Sequence, residues 1–243
     1  MSPPPDAWSE QTQLSHPAPF FEASSSGRTA GFDPAYRGSN PCASAIHTTM
    51  QLTKCFGTPL WQNQLNFDAT AVAAKCLEMR DSSFPNRVIS NRGGWQSTNF
   101  ILSSLPKFQE LHSEINSTLK LVAHSIDNNI KLKCSSAWIN INGKGDRNVS
   151  HNHSCYGATL SSVVYIQVDE STGRIYFEDN FSPMVYYPHM LPSTRKLFIT
   201  KEYFTPTVGM MLTFPAWVPH GVEPSRSDLT RISIAFNISV GER

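Results

Sequence analysis

The chain is short of several things, and each shortage removes a class of function. It has five cysteines among 243 residues (Cys42, Cys55, Cys76, Cys134, Cys155) and no CxxC pair. An odd, scattered set of this kind argues against a disulfide framework and for a reducing compartment, so a cytoplasmic location is expected. Charge of one sign is missing too: twenty basic residues stand against nineteen acidic ones, without a basic stripe. Nucleic-acid binding therefore has no electrostatic support. No apolar run approaches the ~18 residues that span a bilayer, and no basic segment followed by an apolar stretch opens the chain. A soluble, unsecreted protein is the expectation, with no nucleic-acid or membrane partner and a homodimer as the candidate assembly.

What is present falls into two textures. Residues 1–50 are rich in Pro, Ser, Ala and Gly, include Ser24-Ser-Ser-Gly27, and show no sustained apolar period, which predicts a flexible segment. A single domain is expected over 51–243. It opens on Cys55-Phe-Gly-Thr-Pro-Leu-Trp61, read as an edge strand because proline has no donor for a central ladder. Asp68 can cap a helix over 69–80, and from Pro106 the residues Phe108, Leu111, Ile115, Leu119, Val122 and Ile126 recur at helical steps. His112 and His124 lie too far apart along that helix to share an ion.

After Cys134 the period becomes strand-like, in runs at 137–142, 159–168, 173–177, 208–214 and 230–238 separated by turn residues. Helices followed by short β-branched and aromatic strands predict an α+β protein whose jelly-roll core occupies about 134–240.

The chemistry concentrates in that core. His151 and His153 are separated by one residue, so on a strand both imidazoles project to one face. His220, in Phe214-Pro-Ala-Trp-Val-Pro-His220, is the natural third ligand at a boundary between strand and turn. Three imidazoles suit a catalytic ion with open positions, whether Zn, Fe, Cu or Ni. Arg231 follows on the last strong strand; inside a barrel its permanent charge needs an anion, and Ser233 shares its face, an arrangement that suits carboxylate capture. The competing reading is a structural ion pair with a protein carboxylate. Asn140 and Asn142 share one strand face and are candidates to bond a ligand. Trp95, Trp138 and Trp217 are expected to pack, Cys155 to be a bystander, and His189 to sit on a Pro-rich lid; His16 and His47 fall in or near the N-terminal segment.

In the order and spacing of Phe56-Gly-Thr-Pro-Leu-Trp61, Gly94-Trp-Gln-Ser97, Trp138-Ile-Asn-Ile-Asn142, His151-Asn-His153, Ser162-Val-Val-Tyr165, Phe214-Pro-Ala-Trp-Val-Pro-His220 and Arg231-Ile-Ser-Ile-Ala-Phe-Asn237, the sequence resembles the 2-oxoglutarate and Fe(II)-dependent oxygenases. The resemblance implies a double-stranded β-helix, a cupin-like jelly-roll with supporting N-terminal helices. It also implies a dioxygenase that uses Fe(II), 2-oxoglutarate and dioxygen, forms succinate and carbon dioxide, and most commonly hydroxylates, here a small molecule or amino-acid-type substrate. Carried over by position, His151, His153 and His220 take the metal and Arg231 and Ser233 the far carboxylate of 2-oxoglutarate, with Tyr165 a further donor and Asn140 a neighbour. The family's usual triad has a carboxylate where this chain has His153. Three arrangements follow: His153 is the ligand; Glu178 or Asp179 supplies an acid instead; or the chain is a three-histidine dioxygenase in which Arg231 and Ser233 hold a substrate carboxylate. A cupin-like metal- or ligand-binding protein without catalysis is the rival from another class.

Overall fold

The computed structural model describes residues 51–55, 57–154, 157–179 and 201–242. The segment 1–50 with Cys42, His16 and His47, together with Cys155 and the Pro-rich connection containing His189, lies outside the described residues.

The chain begins with β1 (Gln51–Cys55) and β2 (Thr58–Gln64), an antiparallel hairpin turned at Gly57, whose φ of +74° is the left-handed conformation such a turn demands. Next comes helix α1 (Ala69–Asp81), started as expected by Asp68, whose Oδ1 accepts from the Ala71 amide at 2.9 Å. Two short strands follow, β3 (Asn91–Arg92) and β4 (Trp95–Gln96). The period from Pro106 becomes a 3-10 turn at Pro106–Phe108 running into α2 (Gln109–Ile126), with Phe108, Leu111, Ile115, Leu119 and Val122 all buried. Ile126, expected on the same face, is 48% exposed because it is the helix's last residue.

The remaining elements are strands: β5 (Ile130–Asn142), β6 (Arg147–His151), β7 (Leu160–Gln167), β8 (Ile175–Glu178), β9 (Lys201–Phe204), β10 (Met210–Pro215), β11 (His220–Val222) and β12 (Arg231–Glu242). They form two antiparallel sheets, one in the order β1-β2-β10-β7-β12-β5-β4 and one in the order β3-β6-β11-β8-β9. The strand of Pro59 is therefore internal, between β1 and β10, not an edge. Proline is tolerated there because β10 pairs only with Trp61 to Gln64, leaving Pro59 outside that ladder.

Alternation along the central strands decides what each face touches. Ile139 and Ile141 of β5, Val164 and Ile166 of β7, and Ile232, Ile234 and Phe236 of β12 point to one side and pack under α1 and α2. Their neighbours point the other way, so Val163, Tyr165, Leu212, Phe214 and Ala235 meet Ile175 and Phe177 of the second sheet. Phe177 and Phe214 close this inter-sheet core edge to face at 4.8 Å. The result is the expected α+β jelly-roll, with the sheets facing each other rather than closing into a barrel. The inter-sheet face of β12 presents Arg231 and Ser233 beside Asn142 and Asn140 of β5, their direct cross-strand partners.

Candidate functional site

His151 is the last residue of β6, His220 is the first of β11, and the two are paired across the antiparallel ladder. The expected strand-to-turn boundary at His220 exists but runs the other way, with the turn before it. His153 is not on a strand; the two-residue alternation does not place it. Instead its backbone N–H donates to Ala216 O at 2.7 Å, pinning the loop after β6 to the turn before His220. The three rings converge, with centroids 4.5 Å apart for His151 and His220 and 5.2 Å for each pair involving His153.

The donor chemistry of this cluster fits a metal. A carbonyl oxygen can only accept, so His151 Nδ1–H donates to Val149 O at 2.8 Å and His220 Nδ1–H to Val218 O at 3.0 Å. Each bond fixes the tautomer that leaves the Nε2 lone pair for an ion. One potential ligand atom from each of the three lies within 4.8 Å of the others, and among the described residues no carboxylate or thiol joins them. All three are held neutral. Burial pulls the His153 imidazole down to about 4, with the charge of His151 adding to the effect, and burial lowers His151 and, well below its usual value, His220. Neutral imidazole is the ligating form.

Glu178, the candidate acid, is committed elsewhere. Ser150 donates to its Oε2 and Lys201 pairs with its Oε1 at 2.8 Å. Burial works to raise its pKa, but these two partners outweigh it and hold the carboxyl below the usual range. Asp179 follows in the chain and, like Glu178, stands outside the cluster.

Arg231 is 2% exposed, and among the described residues no acidic group pairs with it. The structural ion pair that competed for it is thus not found there. Nη1 donates to Ser233 Oγ at 3.2 Å, the guanidinium lies 5.2 Å from the Tyr165 ring centre, and Nε has no partner. The Tyr165 hydroxyl is equally buried and without a hydrogen-bond partner, and burial pushes it up to about 12, Arg231 opposing. An uncompensated buried cation costs several kcal/mol, so the pocket is short of an anion that accepts from Arg231; Tyr165, in the inter-sheet core beside it, does not itself line the cavity. Burial lowers the arginine's pKa as well, but from a value so high that it stays charged.

One cavity joins the two parts. His151, His153 and His220 line it together with Arg231, Ser233 and Asn140. Asn142, on the same strand face, is buried with its Oδ1 unpartnered but is not part of that lining. Trp138, expected to be packing alone, also lines the cavity and tilts against His153 at 5.4 Å. That it shares a strand face with Asn140 follows from period-two alternation, but nothing in the sequence placed His153 beside it. Trp95 packs against the helix-side core and Trp217 is 47% exposed. His112 and His124 sit on α2, away from the cluster.

Residues 136–237 match the model of a protein family described as "Putative 2OG-Fe(II) oxygenase", where 2OG is 2-oxoglutarate. A search of the curated proteins returns no significant match. Among solved structures, a Pseudomonas putida prolyl-4-hydroxylase superposes with a TM-score of 0.54 at 13% identity, covering 73% of this chain and 91% of its own. A non-heme alpha-ketoglutarate-dependent carbocyclase, SnoK, from nogalamycin biosynthesis gives 0.53 at 12%, covering 75% and 81%. A prolyl hydroxylase from Trichoplax adhaerens, in complex with a hypoxia inducible factor peptide, gives 0.52 at 16%, covering 70% and 77%. At these identities the likeness is one of fold, the double-stranded β-helix.

Proposed function

We propose that this chain, whose residues 136–237 match the 2OG-Fe(II) oxygenase family model, is a dioxygenase that hydroxylates a small, amino-acid-type substrate, with His151, His153 and His220 as its iron ligands. Enzymes of this kind work with Fe(II), 2-oxoglutarate and dioxygen. Substrate C–H, dioxygen and 2-oxoglutarate go in; substrate C–OH, succinate and carbon dioxide come out. The observation behind the reading is Arg231, a buried guanidinium with no acidic partner among the described residues, in the same cavity as three neutral imidazoles.

Bound iron supplies the activation of dioxygen coupled to decarboxylation of 2-oxoglutarate. The chain's own residues position and insulate. Val149 O and Val218 O hold the His151 and His220 rings in the ligating tautomer. Arg231 takes the far carboxylate of 2-oxoglutarate, Ser233 keeps the guanidinium in place, and the Tyr165 hydroxyl donates to the same carboxylate. Asn140, the cross-strand partner of Ser233, completes that wall. Phe177 and Phe214 stand against His220 at 6.0 and 4.7 Å and keep bulk water from the ring.

Three imidazoles leave the iron site with the ion's full double charge, which a dianionic cosubstrate neutralises. Succinate formation from 2-oxoglutarate by the iron-loaded protein in air tests the reading. It should appear in the wild type and fall to background in His220→Ala. A wild type that consumes oxygen without making succinate would sink it.

A further inference from the structure

A second cavity shares Ser90, Trp138, His151 and His153 with the one containing Arg231. Two of the three imidazoles therefore line both spaces. The carboxamides of Gln96, Asn152 and Asn237 are also on its wall.

Two of those carboxamides are incomplete. Gln96 and Asn237 are 4% and 7% exposed, and Gln96 Oε1 and Asn237 Oδ1 are buried without a hydrogen-bond partner. A buried acceptor without a donor is a standing cost, which a ligand bringing N–H or O–H groups removes. Both residues are held by their backbones. Gln96 is on β4, paired with Asn140 of β5, and its carbonyl accepts from the Arg87 amide at 2.9 Å. Asn237 lies inside β12, paired on one side with Ser136 of β5 and on the other with Ser161 of β7.

The fold also keeps the two oxygens apart. Gln96 and Asn237 flank β5 on opposite sides, and their partners on it, Asn140 and Ser136, are 140 − 136 = 4 residues apart. Two strand spacings across and four residues along put the backbones roughly 16 Å apart, with Trp138 midway on β5. Even reaching fully towards each other, the two side chains leave their oxygens further apart than the ~6 Å that one donor atom can bridge. A ligand that satisfies both must therefore donate at two separate points.

A free amino acid does not do this with its backbone, because it donates only from its ammonium and its carboxylate only accepts. Converting the carboxyl to an amide adds the second donor. The amide C=O can also accept from the NH2 of a Gln or Asn side chain, so carboxamide answers carboxamide in both directions. We propose that the second cavity is the substrate subsite and that its substrate is an amino acid whose carboxyl is held as an amide. The amine N–H sits on one of the two oxygens, the carboxamide N–H on the other, and the side chain turns past Trp138 towards His151 and His153. This rests on the proposed function, which gives the first cavity to 2-oxoglutarate and the imidazoles to iron.

The test is equilibrium dialysis of the Fe(II)- and 2-oxoglutarate-loaded protein, with oxygen excluded so that nothing turns over. Three equimolar mixtures serve as probes: the α-carboxamides of the twenty protein amino acids, the matching methyl esters, which keep the C=O but lose the N–H, and the free acids. The expected result is retention of one or a few carboxamides at up to one equivalent per chain, without retention of the matching esters or acids. Gln96→Met and Asn237→Leu should each weaken that retention about fivefold or more. 2-Oxoglutarate retention should change less than about twofold in both variants, which also shows that they are folded. The comparison of amide with ester uses the wild type alone, so it decides the matter even where a variant fails to fold. If the wild type keeps 2-oxoglutarate but no carboxamide, or if esters or free acids are retained equally, or if either folded variant retains the carboxamide as the wild type does, the subsite is overturned and the first cavity stands. If the wild type fails to keep 2-oxoglutarate, the assignment of the first cavity falls, and the subsite with it.

Discussion

His151 and His220 face each other across the β6–β11 ladder, and each donates its Nδ1–H to the carbonyl two residues before it, at 2.8 and 3.0 Å. The same local device sets both tautomers, so two candidate ligands are oriented by backbone alone. On the proposed reading, replacing either histidine with alanine removes a ligand rather than a supporting contact. Supporting contacts to ligands are worth roughly 10–100-fold in affinity, so each variant should lose at least about 100-fold in Fe(II) affinity. Anaerobic iron loading followed by metal analysis checks this; stoichiometric iron in both variants would contradict it.

Glu178→Gln separates the histidine set from a set completed by an acid. Its carboxylate is occupied by Ser150 and Lys201, so iron content should stay at the wild-type level, with Asp179→Asn behaving likewise. Loss of iron in either variant would put a carboxylate on the metal.

Arg231→Met should act in opposite directions on stability and on ligand response. A buried charge without a partner is replaced by an apolar chain of similar length, a change that is neutral or stabilising by about 1–4 kcal/mol in buried ion sites. The ligand-free variant should therefore melt at or above the wild-type temperature. Adding 2-oxoglutarate should raise the melting temperature of the iron-loaded wild type and, at the same concentration, shift that of the variant much less. A variant that melts well below the wild type would mean that Arg231 has a structural partner.

Tyr165→Phe removes a buried hydroxyl that bonds to no protein group. Stability should hold or rise slightly, while 2-oxoglutarate affinity falls by roughly 2- to 12-fold, the worth of one hydrogen bond at about 0.5–1.5 kcal/mol. Calorimetric titration of both proteins measures the difference.

The metal-free protein should weaken in mild acid. His153 has its folded-state pKa pulled from 6.5 to about 4, and His220 is lowered too, so the unfolded chain binds these protons first. Stability is then complete above about pH 6.5, declines as the pH falls below it, and for His153 stops changing below about 4. That shift is on the order of 3 kcal/mol for His153. Urea unfolding at pH 7.5 and 4.5 should show a smaller loss in His153→Phe than in the wild type.

The fold was legible wherever an apolar period ran long enough to be tied to one face. The alternation of Ile139 and Ile141 with Asn140 and Asn142, and of Ile232 and Ile234 with Arg231 and Ser233, separated an apolar face from a polar one in the sequence alone. The histidine cluster was legible by residue type more than by geometry. His151 and His220 sit on strands of five and three residues, too short for a period, and His153 is placed by a hydrogen bond to Ala216 across the fold.

The most direct test of the account is calorimetric titration of 2-oxoglutarate into the anaerobic, iron-loaded protein and into its Arg231→Met variant. One 2-oxoglutarate per chain should bind, far more weakly without iron, with an affinity loss in the variant of about 30-fold or more, since truncating one member of a buried charge pair costs roughly 2–5 kcal/mol. Equal binding by the two proteins, or none by the iron-loaded wild type, would contradict it.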